Sequence, residues 1–296
     1  MNELVQPILI TVVTPSYNRF HTLPALYNSL QAQTSKCFEW LIVDDGSTDD
    51  TEALVETFIP DNYKLRYIKK ENGGKHTALN VAFLNVYTPL TFIVDSDDVL
   101  TPDAIATIAH DWSLVENKGL CGISYLRGYS AVKPIGDIHP HDWAVDNFIQ
   151  LRFNQNVGGD KAEVWVTKLL QQYRYPVFEG EKFFGESYIW CKLAEKYDML
   201  MRNQIIYITK YLEGGLSQSG RALRIRCPRG GMTNALVMMA PGFSVRQRIK
   251  GGILYNCYAS FAAYSMKERF NNIYPLLTIF TWPFGLVLYY RWKRFQ

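Results

Sequence analysis

The sequence predicts an α/β protein with a mostly parallel β-sheet flanked by helices. The first observation is the order of a β-branched segment at 9–13, an amphipathic pattern around 23–30 and an apolar segment at 40–43. Strand, helix and strand in this order form a βαβ unit, whose crossover brings both strand ends to one edge of a parallel sheet. The second observation is size: 296 residues, 48% of them hydrophobic, can bury a full α/β core.

Polar segments follow both strands of this predicted unit. Thr14-Pro15-Ser16-Tyr17-Asn18-Arg19 comes after the first strand, and the acidic run 44–51 comes after the second. Because open α/β sheets bind ligands at the carboxyl ends of their strands, these segments predict a binding edge. A second interpretation stays open, in which Asp44 and Asp45 only cap a helix that starts near Asp49.

Three carboxylates occur within Asp95-Ser96-Asp97-Asp98, directly after the apolar segment 90–94. Carboxylates this close repel one another unless a cation or a proton lies between them. Their oxygens suit Mg²⁺ or Mn²⁺, and Mg²⁺ usually completes its ligand shell with water and substrate phosphates. The cluster therefore predicts a metal site with a phosphorylated partner. The alternative is a helix cap at Asp98 with Pro102 at the first helical position.

Four segments together resemble family 2 of the inverting glycosyltransferases. They occur in the order of that family, at 14–19, 43–49, 72–80 and 95–98. Two further segments, 159–165 and 178–183, resemble a bacterial branch that makes surface polysaccharides. The resemblance covers about residues 7–230. It implies a GT-A fold, in which a Rossmann-like, mostly parallel sheet is flanked by helices.

The resemblance also implies which residues bind the donor. Asp97 is the expected direct metal ligand, with Asp95 as a second contact to the metal or the ribose, and Mn²⁺ or Mg²⁺ would bridge the two phosphates of a UDP-sugar. Either Asp44 or Asp45 would accept a hydrogen bond from the uracil imide. The full set of expected nucleotide-binding residues is Thr14, Pro15, Tyr17, Asn18, Asp44, Asp45, Lys75, Asp95 and Ser96.

Inverting transfer also needs a general base that takes the proton of the acceptor hydroxyl. Glu186 is the first choice, because it precedes an apolar helical pattern in a later segment than the donor site. The family often has Glu-Asp here, whereas this chain has Glu186-Ser187, so Glu181 and Asp160 remain alternatives. A glutamate at a helix start can also serve only to interact with the helix dipole.

The charge is divided unevenly between the two parts of the chain. Residues 1–220 hold 19 basic and 27 acidic residues, whereas residues 221–296 hold 12 basic residues and one acid, Glu268. Residues 273–290 are uncharged, but Pro275, Pro283 and Gly285 are expected to interrupt them as a helix. This pattern predicts a helical, basic and apolar extension that lies on an anionic membrane surface, not a clean span and not a nucleic-acid interface. Packing against the sheet, or an oligomer contact, is the alternative.

We therefore expect a catalytic domain at 1–220, with a donor half at about 1–115 and an acceptor half at about 116–220, followed by the extension at 221–296. Since residues 1–6 are polar, no signal peptide is expected, and the protein should be cytoplasmic, on or anchored to the inner face of the cell membrane. The processive Gln-x-x-Arg-Trp motif is absent, since Leu288 stands at its glutamine position.

The expected function is transfer of one hexosyl or N-acetylhexosaminyl group from a UDP-sugar to a growing or polyprenyl-linked glycan of the cell envelope. Two alternatives remain at this stage. A metal-dependent nucleotidyltransferase also places carboxylates and a metal beside nucleotide phosphates, but it should carry a glycine-rich loop after its first strand. A non-catalytic nucleotide-sugar-binding scaffold would tolerate the loss of the base.

Overall fold

The computed structural model describes residues 7–209 and 222–294, which divide into two compact units. The sheet unit consists of residues 7–147, 157–174 and 196–209. The helical unit consists of residues 148–156, 175–195 and 222–294. The predicted boundary at residues 220 and 221 lies outside the described residues. The helical unit also takes in 148–156 and 175–195, which the sequence had assigned to the acceptor half.

Within the described residues, ten strands form one mixed sheet. They are β1 (Ile10–Ser16), β2 (Phe38–Asp44), β3 (Lys64–Lys69), β4 (Leu90–Ile93), β5 (Val99–Leu100), β6 (Gly122–Ser130), β7 (Lys133–Pro134), β8 (Ala144–Asp146), β9 (Lys161–Val166) and β10 (Met199–Ile208). The order is β3-β2-β1-β4-β9-β6-β10-β5, with β7 beside β6 and β8 beside β10. Strands β1 to β4 are parallel, as are β6 and β10, whereas β9 runs antiparallel between β4 and β6.

The central strands are buried on both faces, which explains their continuous apolar sequences. Every residue of β1, β2 and β4 is buried, as expected for parallel strands covered by helices on both sides. The large core side chains include Trp40, Phe92 and Tyr125. The predicted α/β fold with a mostly parallel central sheet is confirmed.

Short helices connect the strands of the sheet unit. They are α1 (Leu23–Gln31), α2 (Thr51–Glu56), α3 (Lys75–Asn85), α4 (Ala104–Ser113) and α5 (Thr167–Leu170). The predicted helix at 23–30 is present as α1, which buries Leu23, Leu26 and Leu30 on one face. The predicted cap at Asp98 is wrong, because residues 99–100 pair with β10 as strand β5, and α4 begins later with Asp103 as its N-cap residue.

The helical unit contains a π-helical turn and five labelled helices. They are the turn Gln150–Asn154, then α6 (Ser187–Ala194), α7 (Pro228–Val237), α8 (Val245–Phe261), α9 (Met266–Phe270) and α10 (Pro275–Lys293). The predicted helical extension is therefore present.

The interruption expected within residues 273–290 is wrong. Pro275 occupies the first turn of α10, where no N–H is needed, and the helix continues through Pro283. Because Pro283 has no N–H, the Ile279 carbonyl lacks its usual helical hydrogen bond. Ile279 is exposed, so water can reach this carbonyl. Within residues 7–209 and 222–294, no helix is long and apolar enough to cross a membrane.

Candidate functional site

The carboxyl ends of β1, β2 and β4 lie side by side at one edge of the sheet. Ser16 is in register with Asp44, and Val13 is in register with Ile93. The polar segments that follow these strands therefore meet at the same edge, as the βαβ pattern predicts.

The segment after β1 is fixed to the segment after β2. The N–H of Asn18 donates to Ser47 Oγ at 2.8 Å, and the N–H of Thr48 donates to Asn18 Oδ1 at 2.8 Å. Asn18 has φ of 53°, a left-handed conformation that asparagine tolerates better than most residues. The neighbouring Tyr17 side chain is left 45% exposed at the edge. Thr14, in contrast, is buried and accepts a hydrogen bond from Trp40 Nε1 at 2.9 Å.

Asp44 is fully buried and its oxygens already accept protein hydrogen bonds. Its donors are the N–H of Ser47 at 2.9 Å, the hydroxyl of Ser47 at 2.6 Å and the hydroxyl of Tyr67. Burial and the Asp44 carboxylate together raise the pKa of Tyr67 above its usual value. Asp44 thus anchors the turn after β2 to strand β3.

Asp45 is buried and joins two loops. Lys70 Nζ donates to it at 2.6 Å, and the backbone N–H groups of Gly73 and Gly74 donate at 3.0 and 2.6 Å. The loops approach so closely that a Cβ at Gly46, where φ is +78°, would lie 2.8 Å from the backbone nitrogen of Asn72. Neither acid caps α2, whose N-cap residue is Asp50, so the cap interpretation of Asp44 and Asp45 is wrong.

Asp95 follows β4 and is held between two cations. Lys75 Nζ, at the start of α3, lies 2.5 Å from Asp95 Oδ1, and Arg127 Nη1 lies 3.3 Å from Asp95 Oδ2. Burial favours the neutral acid, but the charges of Lys75 and Arg127 outweigh it and hold the pKa of Asp95 well below its usual range. The Asp95 charge is therefore already balanced by the protein.

The next three residues differ in how open they are. Ser96 is buried and accepts from Arg19 Nε at 3.2 Å. Asp98 is buried 3.7 Å from Arg127, and burial together with the Asp95 charge raises its pKa to about 6. Asp97 has a side chain that is 24% exposed, and Arg19 Nη2 lies 4.0 Å from it. The Asp95 side chain is as exposed, at 25%, but it contacts two cations, whereas the nearest cation to Asp97 is 4.0 Å away. Asp97 is thus the partly exposed acid of this segment whose charge is least balanced by the protein.

Sequence reasoning missed the part played by Arg127. Its guanidinium lies over the Tyr207 ring at 4.0 Å, and its Nε donates to the Lys161 carbonyl at 2.8 Å. The Tyr207 hydroxyl in turn accepts the N–H of Asp95 at 2.8 Å. One signal was available: an arginine within the apolar strand β6 needs a buried counter-charge, and few acids follow strands as Asp95 does.

The three acids proposed as general base lie in different surroundings. Asp160 is exposed just before β9 in the sheet unit. Glu181 is buried and accepts from the N–H groups of Arg229 and Gly230, both at 2.8 Å, at the start of α7. Glu186 is the N-cap residue of α6, is partly exposed, and accepts no cap hydrogen bond with its side chain. Burial is the main cause that raises the pKa of Tyr175, and the charge of Glu186 is the second cause.

The donor atoms at the edge fit the expected divalent cation. Among the described residues, no group of three or more His, Cys, Asp or Glu side chains is placed to hold a metal ion by itself. Mg²⁺ commonly binds through only one or two carboxylates and takes the remaining ligands from phosphates and water. Asp97, with Asp95 beside it, supplies such a partial ligand set.

Solved structures with a similar architecture identify the fold. S. aureus TarS 1–349 in complex with UDP-GlcNAc aligns with a TM-score of 0.61 at 19% identity, over 95% of this chain and 80% of that one. The mannosyltransferase PcManGT from Pyrobaculum calidifontis, in complex with GDP-Man and Mn²⁺, aligns with a TM-score of 0.57 at 17% identity, over 97% and 82%. At these identities the likeness concerns the fold, which is the α/β fold of GT-A proteins.

The family is shown by sequence. The model of glycosyl transferase family 2 matches residues 11–160, which is half of the chain, and the chain belongs to that family. A Rickettsia felis protein described as an uncharacterized glycosyltransferase is 38% identical over 103 residues, 35% of this chain and 17% of the relative. The Campylobacter jejuni GalNAc(5)-diNAcBac-PP-undecaprenol beta-1,3-glucosyltransferase is 24% identical over 204 residues, 63% of this chain and 60% of the relative. The chain thus matches less than two thirds of the length of these relatives.

Proposed function

We propose that this protein transfers one sugar, with inversion, from a UDP-sugar to a growing or lipid-linked glycan. One observation carries the proposal: Asp97 is partly exposed at the carboxyl edge of a family 2 sheet with its nearest cation 4.0 Å away, while Asp95 is neutralised by Lys75 and Arg127 and Asp98 is buried. An open carboxylate among balanced ones suits a site that receives a cation and a diphosphate together.

The nucleotide would lie along the segments that follow β1 and β2. The exposed ring of Tyr17 offers a stacking surface for a base, which aromatic rings bind without hydrogen bonds. Asn18, Thr14 and Pro15 hold that segment in place. Asp45 would accept a hydrogen bond from the uracil imide N–H if the base displaces one of its present donors. Asp44 is the less accessible alternative, because it is fully buried. The UDP-GlcNAc complex of S. aureus TarS supports a UDP donor.

Asp97 would be the direct ligand of Mg²⁺ or Mn²⁺, with Asp95 and Ser96 beside it. When bound, the cation offsets the negative charge that grows on the diphosphate as it leaves the sugar. Arg19 and Lys75 place further positive charge at this edge, near Asp97 and Asp95 respectively. Arg127 keeps Asp95 ionised and in position.

Glu186 would act as general base and accept the proton of the acceptor hydroxyl. Support comes from the alternatives: both oxygens of Glu181 already accept hydrogen bonds from the first turn of α7, so this carboxylate has a structural role. Asp160 stays a rival, since it is exposed and precedes a strand of the sheet unit. The undecaprenol-linked substrate in the name of the Campylobacter relative supports a polyprenyl-linked acceptor at the inner membrane face, for a cell-surface glycan.

The decisive experiment is Asp97→Asn, which removes the open charge without changing the size of the side chain. We expect loss of transfer and of Mn²⁺-dependent UDP binding. The melting temperature should be nearly unchanged, because the Arg19–Asp97 ion pair is long, at 4.0 Å, and partly exposed. Calorimetric titration with UDP, with and without Mn²⁺, measures the binding. The matched control is Asp61→Asn, an exposed acid before β3 at the opposite edge of the sheet, which should change neither property. UDP binding by Asp97→Asn that still responds to Mn²⁺ would contradict the metal assignment.

A further inference from the structure

Helix α10 has its polarity reversed relative to a helix packed on a soluble core. Its buried residues are small or polar: Thr278, Thr281 and Gly285. Its exposed residues are large and apolar, and Leu276 and Val287 are 81% and 70% exposed. The exposed set is Leu276, Ile279, Phe280, Phe284, Val287 and Tyr290. These positions recur every three or four residues, so they form one continuous face, which we call the apolar face of α10.

The buried side of α10 is closely packed against α8. A Cβ at Gly285 would lie 2.3 Å from Asn256 Cβ, and a Cβ at Gly252 would lie 2.5 Å from Thr281 Oγ1. Asn256 Nδ2 donates to Thr281 Oγ1 at 3.1 Å and to the Thr278 carbonyl at 2.9 Å. Small residues at a helix contact, clasped by an amide and hydroxyls, are typical of helices packed within lipid.

Basic residues lie at both ends of this helix pair. The contacts of Gly252 with Thr281 and of Asn256 with Gly285 place α8 and α10 in the same direction. Arg246, Arg248 and Lys250 therefore lie towards one end, and Arg291, Lys293 and Arg294 towards the other. The apolar face lies between these two basic ends.

We infer that the apolar face of α10 inserts into the interface of an anionic bilayer, with the helix lying along the membrane plane. A helix of 19 residues is about 28 Å long, and cations at both ends can reach the head groups of a single leaflet together only when the helix lies flat. No helix of residues 7–209 and 222–294 is long and apolar enough to cross the membrane instead. The inference deepens the proposed action on a membrane-linked acceptor and rests on that proposal only for its purpose, because lipid binding is measured without any sugar transfer.

Charge favours lipid as the occupant over a second copy of the chain. Residues 221–296 carry 12 basic residues and one acid, so two such faces brought together would bring like charges together. An anionic head-group layer instead complements those charges while the acyl region accepts the apolar side chains.

The test is flotation of the purified full-length protein with phosphatidylcholine vesicles, with and without phosphatidylglycerol. The wild type should float with the anionic vesicles. The triple variant Phe280→Gln, Phe284→Gln, Val287→Gln should bind at least tenfold more weakly, because it removes the apolar side chains that enter the interface. The matched control Ile59→Gln, Leu84→Gln, Val132→Gln alters three apolar residues of the sheet unit that are 60–89% exposed, against 56–70% for the three α10 residues, and should float like the wild type.

A charge variant provides an independent test that does not alter the apolar face. Arg291→Gln, Lys293→Gln, Arg294→Gln should lower binding to anionic vesicles about a hundredfold and leave binding to neutral vesicles unchanged. Equal flotation of the wild type and both triple variants would overturn the inference. A second outcome would also overturn it: the wild type does not bind vesicles but forms a concentration-dependent dimer, and the Phe280, Phe284 and Val287 variant does not form that dimer. Flotation and UDP binding are measured separately on each variant. A variant that no longer floats but still binds UDP tests the membrane inference without testing the donor site, so either proposal can fail while the other stands.

Discussion

The carboxyl edge of the sheet and the α8–α10 helix pair both bury polar side chains, but the side chains that they expose differ in polarity. At the sheet edge, Asp44 and Asp45 are buried and accept protein hydrogen bonds, while Tyr17 is exposed and Asp97 is partly exposed. In the helix pair, Asn256 and its threonine partners are buried, and what remains exposed is aliphatic and aromatic. The difference teaches that buried polar groups alone do not distinguish the two surfaces, and that the exposed groups are what support the media we propose for them: phosphate and water at the sheet edge, hydrocarbon at α10.

The largest expected effect is on turnover, and it compares a carboxylate that caps a helix with one whose side chain accepts no cap hydrogen bond. Glu186→Gln should lower the turnover number by about 10²- to 10⁴-fold with little change in donor affinity, because the amide keeps the shape but cannot accept the proton. Single-turnover assays with a synthetic acceptor would measure it. Glu181→Gln serves as the control and should leave turnover much less affected, since its oxygens cap α7.

Two other results would change this assignment. A normal rate for Glu186→Gln combined with an inactive Asp160→Asn would transfer the role to Asp160. Full activity in all three variants would contradict the inverting mechanism itself, because each candidate base would then be dispensable.

The next effect separates buried ion pairs from exposed ones within two adjacent residues. Lys70→Met removes the cation 2.6 Å from buried Asp45 and should lower the free energy of unfolding by about 2 kcal/mol, since it leaves a buried carboxylate without its counter-charge. Lys69→Met removes the exposed partner of Glu52 at 2.5 Å and should leave stability nearly unchanged. Urea unfolding compares them, and equal losses would mean that the Asp45 cluster does not hold the two loops together.

A smaller effect is expected from the close contact in the helix pair. Gly285→Val should lower the free energy of unfolding by about 1–3 kcal/mol, because its side chain would overlap Asn256. Gly242→Ala is the matched control, since its added Cβ would lie 3.8 Å from Ile149 Cδ1, an ordinary contact. Thermal unfolding followed by circular dichroism measures both, and an unaffected Gly285→Val would show that the two helices can separate without loss of stability.

The sequence predicted the features that depend on local pattern. The strand at 9–13, the helix at 23–30 and the meeting of three polar segments at one edge follow from periodicity and from the geometry of βαβ units. The Asp98 cap failed because a two-residue strand, β5, has no periodicity to detect, and its partner β10 lies about a hundred residues later.

What the sequence could not predict depends on contacts between distant residues. The sequence separation between Glu181 and the α7 backbone that it caps is 49 residues at Gly230, and Arg127 reaches Asp95 across 32 residues. Pro283 was expected, with Pro275 and Gly285, to interrupt residues 273–290, but a proline on an exposed face is tolerated when the freed carbonyl can be solvated. The reversed polarity of α10 was also hidden, because an uncharged segment does not reveal which residues face its partner helix.

The reversed direction of β9 has a consequence for how this fold can diversify. Because β9 runs opposite to β4 and β6, its beginning at Lys161 lies at the edge where its neighbours end. Asp160, which directly precedes β9, therefore lies at the same edge of the sheet as Asp95, which follows the end of β4. The backbone just before Lys161 is fixed against the loop that follows β7, since a Cβ at Gly159 would lie 2.0 Å from the Ile135 carbonyl oxygen. A change of length at Gly158 or Gly159 would therefore displace Asp160 from this edge, whereas changes farther from β9 could leave it in place.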